Sequence, residues 1–120
     1  MIDLTTYPPL KLLLEFETEE GIIDLHNDYE CIQIKLFEAE IKFLFSLIKA
    51  NKEYTPISKI PELTLNFKKL SLNKSLDFSN EKLPLTLDNL SRVKYKEAYI
   101  VSFIEGEEYE IEAEEANITW

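Results

Sequence analysis

From residue 108 to 114 the chain alternates glutamate with apolar side chains: Glu108, Tyr109, Glu110, Ile111, Glu112, Ala113, Glu114. A period of two is the pattern of a half-buried β-strand. Residues two apart on a strand share one face and lie roughly 6.6 to 6.8 Å apart. The segment therefore predicts an apolar inner face and an outward row of four carboxylates. It belongs to a longer acidic stretch, because Glu97 to the C-terminus holds eight carboxylates and no Lys or Arg.

Charge is distributed unevenly over the rest of the chain. Residues 1–41 carry ten acids and two bases, and residues 42–96 carry five acids and eleven bases, within a formal net charge of −10. Two acidic ends thus flank a basic middle that includes Lys68, Lys69, Lys74, Arg92, Lys94 and Lys96. An acidic protein is repelled by nucleic-acid phosphates and anionic lipid, so direct binding to either is not expected. At 120 residues the chain matches one domain, 1–120, large enough to bury about two-thirds of its unfolded surface. No apolar run approaches the roughly eighteen residues of a membrane helix. The start of the chain has neither a basic segment nor a small-residue cleavage site, and Cys31 has no second cysteine to pair with. A cytoplasmic location is the expectation.

Further elements follow from periodicity. Pro8-Pro9 fixes an extended lead-in, and Leu10 to Phe16 is predicted as a strand. Gly21 can take the positive φ of a tight turn, Ile22 to Leu25 is a second short strand, and Asn27-Asp28 marks another turn. Cys31, Ile32, Ile34 and Leu36 predict a third strand with Gln33 and Lys35 facing out. The period then changes. Phe37, Ile41, Leu44, Phe45 and Ile48 form one stripe of an amphipathic helix, with Glu38 and Glu40 at its start and Lys49 and Lys52 at its end. This predicts a helix at about 37–51. Glu53 to Pro61 reads as a connection. Leu63, Leu65 and Phe67 alternate with polar residues, as do Leu70 and Leu72, with a phase slip at Lys68-Lys69 that predicts a bulge or a strand break. Ala98 to Ile104 is apolar on both faces, as in a covered central strand. It turns back at Glu105-Gly106, and the preferred register opposes Phe103 to Tyr109 and Val101 to Ile111. Ile118 to Trp120 would add a short edge. The predicted fold class is α+β: a mostly antiparallel, curved sheet of six to eight strands packed with one main helix.

Catalytic signals are sparse. Two glycines, Gly21 and Gly106, leave no room for a P-loop, a dinucleotide fingerprint or a nucleophile elbow. His26 is the only histidine and Arg92 the only arginine, which argues against His-pair zinc motifs and bidentate recognition of phosphate. The densest polar cluster is Asp24, His26 and Asp28. In an extended chain Asp24 and His26 share a face and could hold a divalent cation, whereas a turn at Asn27-Asp28 makes the cluster a hairpin tip. An enzyme or metal protein centred on Asp24, His26 and Cys31 is one alternative. Eighteen glutamates offer many carboxylate pairs and single out none. No cofactor or resident metal is expected.

The outward row of Glu108, Glu110, Glu112 and Glu114 is the best candidate site. Its charges recur every ~7 Å, against one per roughly 3.4 Å on a DNA strand. Polyanion mimicry would therefore need Glu15, Glu17, Glu19 and Glu20 alongside. Solvated edge glutamates also block sheet-to-sheet aggregation, which gives the row a role without a partner. A long like-charged patch, by contrast, steers an oppositely charged protein. In size and acidity the chain resembles small acidic cytoplasmic proteins that neutralise basic toxins, nucleases above all. The leading expectation is thus an inhibitor or immunity-type protein that docks this row on a basic partner protein. The other alternative is a structural or adaptor subunit, self-associating as a homodimer by pairing acidic ends with the basic middle.

Overall fold

The computed structural model describes residues 1–71 and 75–120. Among these residues nine strands make up almost all of the regular structure: β1 (Ile2–Asp3), β2 (Glu15–Thr18), β3 (Gly21–Asp24), β4 (Tyr29–Phe37), β5 (Glu40–Leu47), β6 (Glu62–Leu70), β7 (Leu87–Arg92), β8 (Ala98–Phe103) and β9 (Glu108–Thr119). One 3₁₀ turn, Leu4–Thr6, joins them. A seven-stranded antiparallel sheet runs in the order β4-β5-β6-β9-β8-β7, with β1 added beside the far end of β9. The sheet curls as a half-barrel until its outer margins touch. There Cys31 and Leu85 exchange both backbone hydrogen bonds, at 2.7 and 3.0 Å. The β2–β3 hairpin is a separate two-stranded sheet.

The fold is therefore mostly β, and the α+β expectation with a main helix at 37–51 is incorrect. Ile41, Phe43 and Phe45 are all fully buried, a period of two, while Lys42 between them is exposed. The helical stripe had mixed residues from both faces of β5 with Phe37, which ends β4 and is 73% exposed. Glu38 and Ala39 form a two-residue turn between paired Phe37 and Glu40, and Glu38 takes a left-handed φ of 54°. Aromatic and branched residues crowded on both faces satisfied the 3.6 template by coincidence; packing decided for the strand.

Other boundaries move less. Residues 10–14 form no strand: Leu10 N–H donates to Arg92 O (2.9 Å) and Leu13 N–H to Leu90 O (2.7 Å), which covers the edge of β7. Gly21 closes the β2–β3 turn with φ +109°. In β4 a bulge between Cys31 and Gln33 leaves Ile32, expected inside, 40% exposed, whereas Leu36 keeps the inner face opposite Ile41 and is 47% exposed because it lies at the margin of the sheet. The expected irregularity after Lys68 is a left-handed Lys69 (φ 56°), after which Leu70 N–H reaches back to Ala39 O. Leu72, in the predicted continuation, and Lys74 lie outside the described residues. Residues 118–119 extend β9 next to β6 and do not form an edge.

The interior of the curl is aromatic. Phe43 contacts Phe67 (6.1 Å between centroids) and Phe78 (5.6 Å) edge to face, and Phe67 meets Tyr99 at 5.3 Å. Such pairs add roughly 0.5–1.5 kcal/mol each beyond the area they bury. Phe78, which lies between β6 and β7 in the chain, packs on Tyr109 with ring centroids 4.5 Å apart and planes tilted by 47°. This contact lies at the start of β9, where the glutamate row begins.

Candidate functional site

Strand β9 holds the predicted row as a geometric unit. Tyr109, Ile111 and Ala113 are buried, so Glu108, Glu110, Glu112 and Glu114 leave the opposite, outer face of the sheet. The neighbouring strand sets the register: Val101 faces Tyr109, Tyr99 faces Ile111 and Ala98 faces Glu112. This is shifted by two residues from the register that opposed Phe103 to Tyr109. A shift of two keeps apolar residues opposite apolar ones, so the face assignment is unchanged. On the outer face Ile100 lies opposite Glu110 and Ser102 opposite Glu108.

The row is not uncompensated, as the chain order had suggested. Lys96, one residue before the acidic stretch, places Nζ 3.0 Å from Glu110 Oε2 and 3.2 Å from Glu112 Oε1. Hydrogen bonds to Glu110 first, then to Glu112, hold the Lys96 pKa above its ordinary value. Lys69 reaches Glu115 at 3.3 Å. Part of the basic middle therefore meets the acidic tail across strands within one chain. Arg92 is spent differently, with Nη1 donating to the Tyr7 carbonyl, and Lys94 lies over the exposed ring of Tyr95 at 5.2 Å.

Of the acids that polyanion mimicry would need alongside, Glu20 accepts from Trp120 Nε1 at 2.7 Å, which puts the β2–β3 turn at the far end of β9. Thr119 is five residues beyond Glu114, about 17 Å of strand, so Glu20 lies past the end of the row and not beside it.

One carboxylate missed from the sequence organises the β8–β9 turn. Glu81 Oε1 accepts from Tyr109 Oη (2.6 Å) and from the Glu107 amide (3.0 Å). Burial, then this carboxylate, pushes the Tyr109 phenol well above its ordinary pKa. A Cβ on Gly106 would stand 2.7 Å from Glu81 Oε2 and 3.2 Å from the Phe103 Cβ, so a larger residue there would displace the Glu81 carboxylate from its place in the turn. Nothing in chain order signals the pairing of residue 81 with residue 109.

The Asp24, His26, Asp28 cluster is a hairpin tip. Asp24 accepts from the Asn27 amide and Nδ2, both at 2.9 Å, and caps its own turn. Asp28 is fully buried and accepts from the Ser58 amide (2.9 Å), the Ser58 hydroxyl (2.7 Å) and the Tyr54 hydroxyl. Burial works to raise the Asp28 pKa, but these hydrogen bonds outweigh it and the net displacement is downward. The bond to Asp28 in turn pushes Tyr54 up to about 12. His26 turns away, with Nδ1 2.6 Å from Leu87 O. Cys31 is buried in the seam with Leu85, and desolvation raises its thiol to about 12. Turn and loop donors hold Asp24 and Asp28, and Asp24 and His26 line one surface pocket that neither Asp28 nor Cys31 joins. Among the described residues no three His, Cys, Asp or Glu are placed to share a metal ion. Nor is any helix among them long and apolar enough to cross a membrane.

Comparison of the chain with known protein families, with curated protein sequences and with solved structures gives no match.

Proposed function

We propose that this chain is a small acidic binding protein of the inhibitor or immunity type, which applies the outer face of β9 to a basic surface of a partner protein. One observation carries the reading: Glu108, Glu110, Glu112 and Glu114 leave one face of a strand whose other face is locked into the core. A row held this way loses little conformational freedom on binding beyond that of its side chains. It also steers a cationic partner, and the complex should weaken as salt screens the contact. Lys96 belongs to the recognition surface, because a partner's cation must share or replace its contacts with Glu110 and Glu112. A basic nuclease toxin is the partner class that this acidity fits.

The test uses the purified protein as bait in lysate of its own source, washed with rising salt. The expected result is one basic protein, retained by wild type and lost when Glu110→Lys and Glu112→Lys are combined, with the circular dichroism of the fold unchanged. Equal retention by the double variant would remove β9 as the site.

A further inference from the structure

A second surface of different character lies at the opposite margin of the sheet. Strand β4 is the outer strand there, and among the described residues its backbone seam with the other margin is the bridge between Cys31 and Leu85. Beyond that bridge, the described residues supply no strand to the outer side of residues 33–37. An unpaired strand edge is a template for another strand.

Leu47 N–H donates to Pro61 O on the β6 side, and Ile48 N–H donates to Asp28 O on the β4 side. Along β5, odd residues thus bond towards β6 and even residues towards β4. Leu44, Lys42 and Glu40 pair with Gln33, Lys35 and Phe37, which uses the backbone groups of those three. The N–H and C=O of Ile34 and Leu36 therefore project from the open edge.

Side chains make the two faces of this edge unlike. On the inner face Ile34 and Leu36 look across a groove of ≈ 320 Å³ at Leu76, Phe78 and Leu83. Leu36 and Leu83 are 47% and 42% exposed. Asp77 and Glu81 also line this groove, so an acid placed on the inner side would be repelled. On the outer face Lys35 lies directly opposite Lys42. Like charges in that position destabilise a sheet, and among the described residues no carboxylate forms an ion pair with either. Phe37, on the same face, is 73% exposed.

We propose that the edge of β4 from Ile34 to Leu36 is a docking strand for an extended segment of a partner protein in which acidic residues alternate with apolar ones. The segment adds one strand to the sheet through the backbone of Ile34 and Leu36. Its apolar residues enter the groove facing Leu76, Phe78 and Leu83. Its acidic residues meet Lys35 and Lys42. A second copy of this chain is disfavoured as the occupant, because antiparallel self-pairing would gather four lysines on one face. This surface is independent of β9.

The probe is a capped, dye-labelled peptide of six residues alternating Glu and Val, followed by fluorescence anisotropy. The matched control alternates Lys and Val. Saturable binding of the Glu peptide, at least about tenfold tighter than the control, is expected. Lys35→Glu combined with Lys42→Glu should weaken it about tenfold or more and reduce its salt dependence. Ile34→Pro removes one outward N–H at a position where an edge strand tolerates proline, and it should also weaken binding. Absence of binding up to about 1 mM, equal affinity for both peptides, or full affinity in the double lysine variant would overturn the proposal. So would a wild-type dimer in sedimentation that Ile34→Pro dissociates, since the edge would then belong to a second copy.

Discussion

The amide and the hydroxyl of Ser58 both donate to one oxygen of Asp28, at 2.9 and 2.7 Å, and so tie the loop before β6 to the start of β4. With Tyr54 on the other oxygen, a fully buried carboxylate is held in its charged form. Its pKa in the folded chain lies below the ordinary 3.8. A depressed carboxylate stabilises fully above its unfolded value and loses that contribution as pH falls through the folded one. Urea unfolding should therefore show a steeper loss of stability below about pH 4 for wild type than for Asp28→Asn. At pH 7 Asp28→Ala should cost about 3 kcal/mol, because the Ser58 donors are left buried and unsatisfied. Equal acid sensitivity in wild type and Asp28→Asn would assign the acid loss to other carboxylates.

Strand β5 makes a prediction that separates two periodicities. In the curl Phe43 is fully buried against Phe67 and Phe78, whereas Phe37 is 73% exposed. Phe43→Ala should destabilise by about 3–5 kcal/mol, and Phe37→Ala should stay within about 0.5 kcal/mol of wild type. A helix with its stripe on Phe37 would give the reverse order in chemical denaturation.

What the sequence revealed, and where it misled, follows from how local each signal is. The β9 row was legible because Tyr109, Ile111 and Ala113 alternate cleanly with charges, so that only one period fits. Residues 37–51 carry Ile41, Phe43, Leu44, Phe45 and Leu47 in close succession, and a run apolar on both faces fits two periods equally. The acids at one end and the lysines at the other then favoured a helix. The pairings of Lys96 with Glu110, Glu81 with Tyr109 and Asp28 with Ser58 join residues 14 to 30 positions apart. Only strand order decides such contacts, and strand order is set by the packing of the whole sheet. The acidic tail looked uncompensated for the same reason: its counter-charges come from across the ladder.

Lys96 yields a salt prediction on the candidate face. Its ammonium sits between Glu110 and Glu112 on an exposed surface, where ion pairs contribute little on their own. Removing it leaves four glutamates at alternate positions with less compensation. The unfolding midpoint of Lys96→Ala should therefore rise more steeply with added sodium chloride than that of wild type, as screening relieves the repulsion. Identical salt slopes would show that the row repels itself too weakly to matter for stability. If the face also binds a cationic partner, the same variant should bind at least as tightly as wild type, since one competing cation is gone.

Cys31 reports on the seam. Its amide and carbonyl make the bridge to Leu85, and its thiol, fully buried, is raised to about 12 by desolvation. The thiolate is the reactive form, so at pH 8 a thiol reagent should leave the folded chain unmodified over times that fully label the urea-unfolded chain. Because Cys31 is the only cysteine, mass spectrometry of the intact protein reads this without ambiguity. Labelling that proceeds in native buffer would mean that the margins of the curl separate at Cys31 and Leu85 without global unfolding. The rate would then fall when an acidic, alternating peptide occupies the adjoining β4 edge, because a strand docked at Ile34 and Leu36 covers the backbone next to the bridge.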